Sequence, residues 1–158
     1  MTAMTLEPGQ TTPDFTLPRD GGGTVTLSAL RPGKVVLYFY PRDDTPGCTT
    51  EALDFTRLKD RFAAAGATVI GVSKDDVASH DKFCRKHGLG LILASDAEGD
   101  VSERYGVWGE KSMYGKKFMG IERTTILIDG EGRVARVWPK VKVAGHAEEV
   151  LAAAEALA

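Results

Sequence analysis

Apolar and polar residues change rhythm several times along the chain, and each change marks an element. Val35–Tyr40 reads VVLYFY, an unbroken β-branched and aromatic run. Such a run describes a strand covered on both faces. From about Cys48 to Ala65 the period becomes helical, with Cys48, Ala52, Phe55, Leu58 and Phe62 on one stripe and Gly66 as the stop. Ala67–Ser73, ATVIGVS, is the next strand. Asp75–Gly88 predicts a second helix, with acidic residues first, basic residues last and a terminal glycine. Leu89–Asp96 is a third buried strand, and a short helix follows near Gly99–Tyr105. Upstream, Pro13–Leu30 alternates about the glycine-rich Arg19–Gly23 and predicts a β-hairpin. Downstream, Gly106–Gly120 is punctuated by glycine and reads as a loop. Arg123–Pro139 predicts two strands joined around Asp129–Gly132, and Gly145–Ala158 a closing amphipathic helix.

Strand and helix alternate through the middle, and a hairpin and helix finish. The expectation is an α/β sandwich with a mixed β-sheet flanked by helices. Right-handed crossovers then bring the C-terminal ends of Val35–Tyr40 and Ala67–Ser73 to one edge of the sheet. Open α/β sheets hold their ligand sites there. Cys48 opens the helix that leaves that edge. The length of 158 residues suits a single domain spanning 1–158, without repeat, linker or low-complexity tract.

Composition narrows the choice by exclusion. The chain is 42% hydrophobic and 27% charged, with a net charge of −2 and no dominant basic cluster. Neither nucleic acid nor an anionic membrane is an expected partner. No apolar run approaches the ~20 residues of a membrane span, and the first residues carry no signal-peptide pattern. A cytoplasmic protein is expected. In that compartment two cysteines do not make a disulfide framework, which leaves reactive, metal-bound or inert thiols.

The chemistry centres on Cys48, within YPRDDTPGCTTEA, Tyr40–Ala52. A first helical turn offers unpaired N–H groups and partial positive charge, which favour a thiolate. Cysteines so placed beside a cation ionise more readily. Pro46 and Gly47 let the backbone approach the sulfur, and the Thr45 hydroxyl can reach back. The competing reading is a packing residue, since Cys48 lies on the apolar stripe and cysteine is often buried. Thr45 alone would be a capping or turn residue. Glu51 fits a capping-box acid or a support for the site. Arg123 alone would be an exposed arginine at the start of an edge strand.

The string resembles the active-site loop of the peroxiredoxins, P-x-x-x-T-x-x-C, here Pro41, Thr45 and Cys48. With GVSKDD, FCRKHGL, YGVWGEKSMYGKKFMGIERTTILID and GHAEEVL, it resembles the peroxiredoxin Q subfamily, also called bacterioferritin comigratory protein, from about residue 5 to 157. The resemblance implies a thioredoxin-like fold with an N-terminal β-hairpin extension, and thiol peroxidase activity on hydrogen peroxide and small alkyl hydroperoxides. It makes Cys48 the peroxidatic cysteine, Thr45 a hydroxyl donor to peroxide and thiolate, Arg123 the distal arginine, and Pro41 the residue that shields the site. It implies no cofactor, no resident metal and a monomer.

Many subfamily members carry a second cysteine five residues after the first, where this chain has Leu53. Others place it in the FCxKHGL helix, which here is Cys84. By that resemblance Cys84 resolves Cys48 in an intramolecular disulfide, which thioredoxin or a similar dithiol reduces. A disulfide needs Cα atoms within about 7 Å, so local unwinding near Cys48, near the start of the Cys84 helix, or both is expected. Asp75, Asp76 and Ser79 offer that helix competing starts. The alternatives are a packing thiol beside Phe83, which makes the chain a 1-Cys peroxidase resolved by an external thiol, or a thiol redox sensor. His80, Cys84 and His87 share one helix face, yet as metal ligands they would need a fourth from elsewhere. The two histidines read as solvated surface, with His87 suited to the helix C-terminus. Tyr105 and Trp108 read as packing residues that could edge a pocket for organic peroxides. Lys111, Lys116 and Lys117 read as a solvated face, and Trp138 and His146 as structural.

Overall fold

A computed structural model describes residues 6–157. The elements are β1 (Thr16–Pro18), β2 (Thr24–Thr26), β3 (Lys34–Phe39), α1 (Pro46–Arg57), α2 (Lys59–Ala64), β4 (Ala67–Ser73), α3 (Val77–His87), β5 (Ile92–Ser95), α4 (Val101–Arg104), β6 (Trp108–Met113), β7 (Lys116–Ile121), β8 (Thr124–Ile128), β9 (Val134–Trp138) and α5 (His146–Ala156). The main sheet has the order β5-β4-β3-β8-β9. Strands β3, β4 and β5 run parallel, while β8 and β9 are antiparallel to their neighbours.

The unbroken apolar run of β3 is explained by its two faces. Val36, Tyr38 and Tyr40 join one core with Cys48, Phe55, Phe62, Phe83 and Val150, under the helices. Val35, Leu37 and Phe39 join the other with Ile70, Val101, Tyr105 and Ile126. The pairing of β8 with β3 sets Thr124 opposite Phe39, so Arg123 arrives where β3 ends and the loop to α1 begins. The N-terminal hairpin β1–β2 docks on the free edge of β5, with Arg19 bridged to Ala94.

Four expectations change. The helix expected over Cys48–Ala65 is two helices that meet at Leu58, whose ψ of 5° leaves the helical range. Gly106–Gly120 is mostly a hairpin, β6–β7, not a loop. Its turn places Tyr114 at φ 52° and Gly115 at φ 78°, as a two-residue hairpin turn requires. Residues 116–119 of β7 are all exposed, so the apolar alternation that marks a half-buried strand is absent. Helix α3 uses one start: the Asp76 side chain accepts from the Ser79 N–H at 2.8 Å, and Gly88 ends the helix at φ 63°. His80 is fully buried rather than solvated. It lies three residues before the buried Phe83 and so shares that residue's face of α3.

Candidate active site

Cys48 occupies the first turn of α1, behind Pro46 at the helix start, and is 1% exposed. The Arg123 guanidinium reaches it from the other side of the sheet edge. Nη2 donates to Cys48 Sγ at 3.3 Å and Nη1 to Glu51 Oε1 at 2.6 Å. The Arg123 carbonyl accepts from the Val141 N–H at 2.9 Å, which fixes the backbone behind it. One planar cation therefore bridges the sulfur and a buried carboxyl, a geometry that suits arginine and not lysine.

The electrostatics are tight. Burial pushes Glu51 up to about 7, against the pull of Arg123. Its second oxygen, Oε2, has no partner among the described residues. Burial works against the charge on Arg123, but Glu51 and Cys48 outweigh it, and the net shift is upward. Glu51 thus pairs with Arg123; it lies six residues after the Thr45 cap, and no capping box forms there. Gly47 matters for space, since a Cβ there would stand 3.3 Å from Arg123 Nη2.

Thr45 caps α1 without a side-chain bond to it; its hydroxyl donates to the Arg42 carbonyl at 3.0 Å. Pro41 is half-buried at the start of the same loop. The loop brings Pro41, Thr45 and Cys48 to the end of β3, and β8 brings Arg123 to the same place. Cys84 stands apart in α3. It is a free thiol, as is Cys48, and packs against the core that contains Cys48. Its Sγ contacts Asp20 Oδ2 at 3.8 Å. Burial, with the Asp20 carboxylate beside it, pushes the thiol up to about 12.

The profile of the AhpC/TSA family matches residues 8–137. The chain belongs to the AhpC/TSA family. It is a peroxiredoxin, a thiol peroxidase. Peroxiredoxin Bcp of Xanthomonas campestris is 50% identical over 156 residues, which is 99% of this chain and 98% of that one. A solved structure of the Xanthomonas campestris bacterioferritin comigratory protein, described for its alkyl peroxide reduction activity, is 49% identical with a TM-score of 0.87, covering 98% of each chain. A cysteine-to-serine variant of PrxQ from Xylella fastidiosa is 42% identical with a TM-score of 0.91, covering 97% of this chain and 98% of its own. These likenesses carry the thioredoxin-like fold with them.

Other polar residues beside the peroxiredoxin loop escape a reading of the sequence. Asp43 is buried and accepts from the Tyr40 hydroxyl at 2.5 Å and from the Ser79 hydroxyl at 2.8 Å. Its Oδ2 lies 2.7 Å from His80 Nδ1, and His80 Nε2 lies 3.0 Å from the Ala94 carbonyl. The helical spacing of His80 to Phe83 was the available signal. His87 lies 2.8 Å from Asp44 Oδ1, so both histidines of α3 are committed to carboxylates of the loop. Trp138 and His146 are buried, and His146 Nε2 lies 2.8 Å from the Thr125 hydroxyl. Tyr105 packs in the second core and donates to the Pro13 carbonyl. Leu53 is 41% exposed on α1.

Proposed function

We propose that Cys48 is the peroxidatic thiol and Cys84 the thiol that resolves it, in an intramolecular cycle completed by thioredoxin or a similar dithiol. The observation that carries the reading is the Arg123 bridge between Cys48 Sγ and Glu51 at the start of α1. The thiolate attacks the terminal oxygen of a hydroperoxide. A sulfur–oxygen bond forms, the O–O bond breaks, and the departing alkoxide or hydroxide takes a proton to leave as alcohol or water. Negative charge moves from sulfur to the leaving oxygen during this step. A fixed guanidinium beside the sulfur stabilises that charge where it develops. Thr45 turns its hydroxyl from the Arg42 carbonyl toward the peroxide, and Pro41 limits water at the loop. Hydrogen peroxide and small alkyl hydroperoxides are the substrates.

The resolving step needs movement. Cys84 is half-buried and a poor nucleophile while Asp20 and the core surround it. Local opening of α3 or of the turn at Cys48 exposes and releases that thiol. The protein works as a cytoplasmic monomer. Among the described residues no helix is long and apolar enough to cross a membrane. One equivalent of peroxide followed by disulfide mapping tests the cycle. An intrachain Cys48–Cys84 disulfide is the expected product. A persistent sulfenic acid on Cys48, or a disulfide between chains, overturns the role of Cys84. Unchanged peroxide consumption by Cys48→Ser overturns the whole reading.

A further inference from the structure

His80 is 0% exposed, yet both of its ring nitrogens face acceptors. Ala94 offers a backbone carbonyl, which can only accept, so Nε2 carries a proton. Asp43 already receives Tyr40 and Ser79 hydroxyls, one on each oxygen, which is the pattern of an ionised carboxylate. His80 Nδ1 therefore donates to Asp43 as well, and the ring is an imidazolium. The two partners belong to different segments. Asp43 lies in the loop that leads into Cys48, and His80 lies one helical turn before Cys84 on α3. Asp44 repeats the link at the other end of α3, with Lys86 Nζ at 2.6 Å and His87 Nε2 at 2.8 Å. The Asp43 N–H also donates to Asp75 Oδ2 at 2.8 Å, just upstream of α3.

We infer that His80 is a positioning residue of the resolving step: through Asp43 it fastens the helix bearing Cys84 to the loop bearing Cys48, and release of this fastening governs how fast the two sulfurs meet. The inference rests on Cys84 being the resolving thiol. The step itself joins Cys48 Sγ to Cys84 Sγ and breaks the S–O bond of the sulfenic acid. Hydroxide leaves with the Cys84 proton as water, and peroxide has already supplied the oxidation. For either segment to move, the His80–Asp43 contact must break, because each segment holds one partner.

Protonation tunes the fastening. The groups that face His80 are Asp43 and Tyr40 from the loop side, Asp75 from the segment between β4 and α3, and the Ala94 carbonyl of β5. Burial works against the imidazolium, but Asp43, Ala94 and Asp75 outweigh it and its pKa is raised. In the opened state a solvated histidine titrates near ~6.5. The link is thus complete below that pH and weakens as pH climbs through the raised value.

The test uses the full chain as wild type, His80→Gln and Asp43→Asn, between pH 6 and 9. Sulfenic acid formation and disulfide formation are timed separately after one equivalent of hydrogen peroxide. Dividing the His80→Gln rate by the wild-type rate removes the pH dependence they share; Asp43→Asn also takes away a carboxylate that raises the Cys84 thiol, so its rate is compared after correction for the Cys84 ionisation measured in that variant. The expected ratio for His80→Gln is about ten or more at pH 6, as for loss of a charge-assisted buried hydrogen bond, and it falls toward one as pH rises. Asp43→Asn shifts in the same direction, and the double variant adds little to either single one. A ratio near one at pH 6, or one that does not change with pH, overturns the inference. Should the variants fail to fold, amide exchange in the wild type decides. Protection of residues 77–87, corrected for intrinsic exchange, falls from pH 6 to 9 if His80 fastens the helix, and constant protection overturns the idea. A wild-type protein that never forms the Cys48–Cys84 disulfide removes the resolving role and the inference together. A disulfide with a flat ratio removes the inference alone.

Discussion

Replacing Arg123 by Met tests the centre of the site. The guanidinium stands 3.3 Å from Cys48 Sγ. At an effective dielectric constant of ~20, a full pair of charges at that separation interacts by roughly 5 kcal/mol. Only the share that grows on the way to the transition state changes the rate, because charge leaves the sulfur as it builds on the departing oxygen. Removal of one donor aimed at developing charge typically lowers kcat by ~10²–10³, or about 3–4 kcal/mol. The same loss is expected here in the second-order rate with hydrogen peroxide, read by competition against a fast reference peroxidase. Arg123→Lys should fall between, since a point charge can serve Glu51 or Cys48 but not both. The carboxyl of Glu51 confuses a simple activity assay, because Met leaves it buried with neither oxygen paired. The double variant Arg123→Met with Glu51→Leu, which removes the unpaired polar group, therefore serves as control: stability should recover, and rate should not. A folded Arg123→Met protein within ~3-fold of the wild-type rate would refute the electrostatic role.

Glu51→Gln should flatten a pH dependence. Glu51 ionises at about 7 when folded, above its ordinary 4.5, so the folded state holds the proton more tightly. Wild-type stability should therefore decline as pH rises from ~4.5 through about 7, and the Gln variant should lose that slope in thermal melts. Gly47→Ala should slow peroxide reduction several-fold with little change in Tm, because the new Cβ sits 3.3 Å from Arg123 Nη2. Gly71→Ala should lose ~1–3 kcal/mol in urea denaturation, as overpacking does. Its Cβ would meet Tyr38 Cζ at 2.7 Å and Leu93 Cδ2 at 2.9 Å, and the Tyr38 ring is stacked on Phe55. A stability change below ~0.5 kcal/mol would mean that this part of the core can yield.

The elements that hold the site were legible where burial imposes a pattern. The β3 run and the Cys48–Phe55 stripe are records of a covered sheet and a helix laid upon it. Arg123 was legible through family resemblance alone. Its place depends on β8 lying antiparallel to β3, and no local period encodes which strand is the neighbour. Hairpin β6–β7 left no alternation because much of it is solvated on both faces. A histidine on a charged helix reads as solvated, yet His80 is buried. Its burial follows from an acidic partner 37 residues away in sequence.

The two sides of α1 differ in a way that bears on the proposed opening. Toward α5 the buried contact is apolar, with Phe55, Val150, Leu151 and Ala154 in one core, and an exposed Arg57–Glu148 pair lies outside it. Such packing is non-directional and survives small displacements. Toward α3, Phe83 joins the same core, but the loop before α1 is held by charge: Asp43 with His80, and Asp44 with Lys86 and His87. Directional hydrogen bonds weaken steeply with poor geometry, and groups at the rim find replacement partners in water. A small separation therefore ends these contacts together, while the sheet and α5 keep their packing. A peroxidase of this kind has opposed needs. In the proposed cycle the first step wants Cys48 enclosed beside Arg123, and the second wants Cys48 and Cys84 free to meet. Fastening the loop before α1 with ion pairs, and α5 mainly with hydrocarbon, suits both needs in one core.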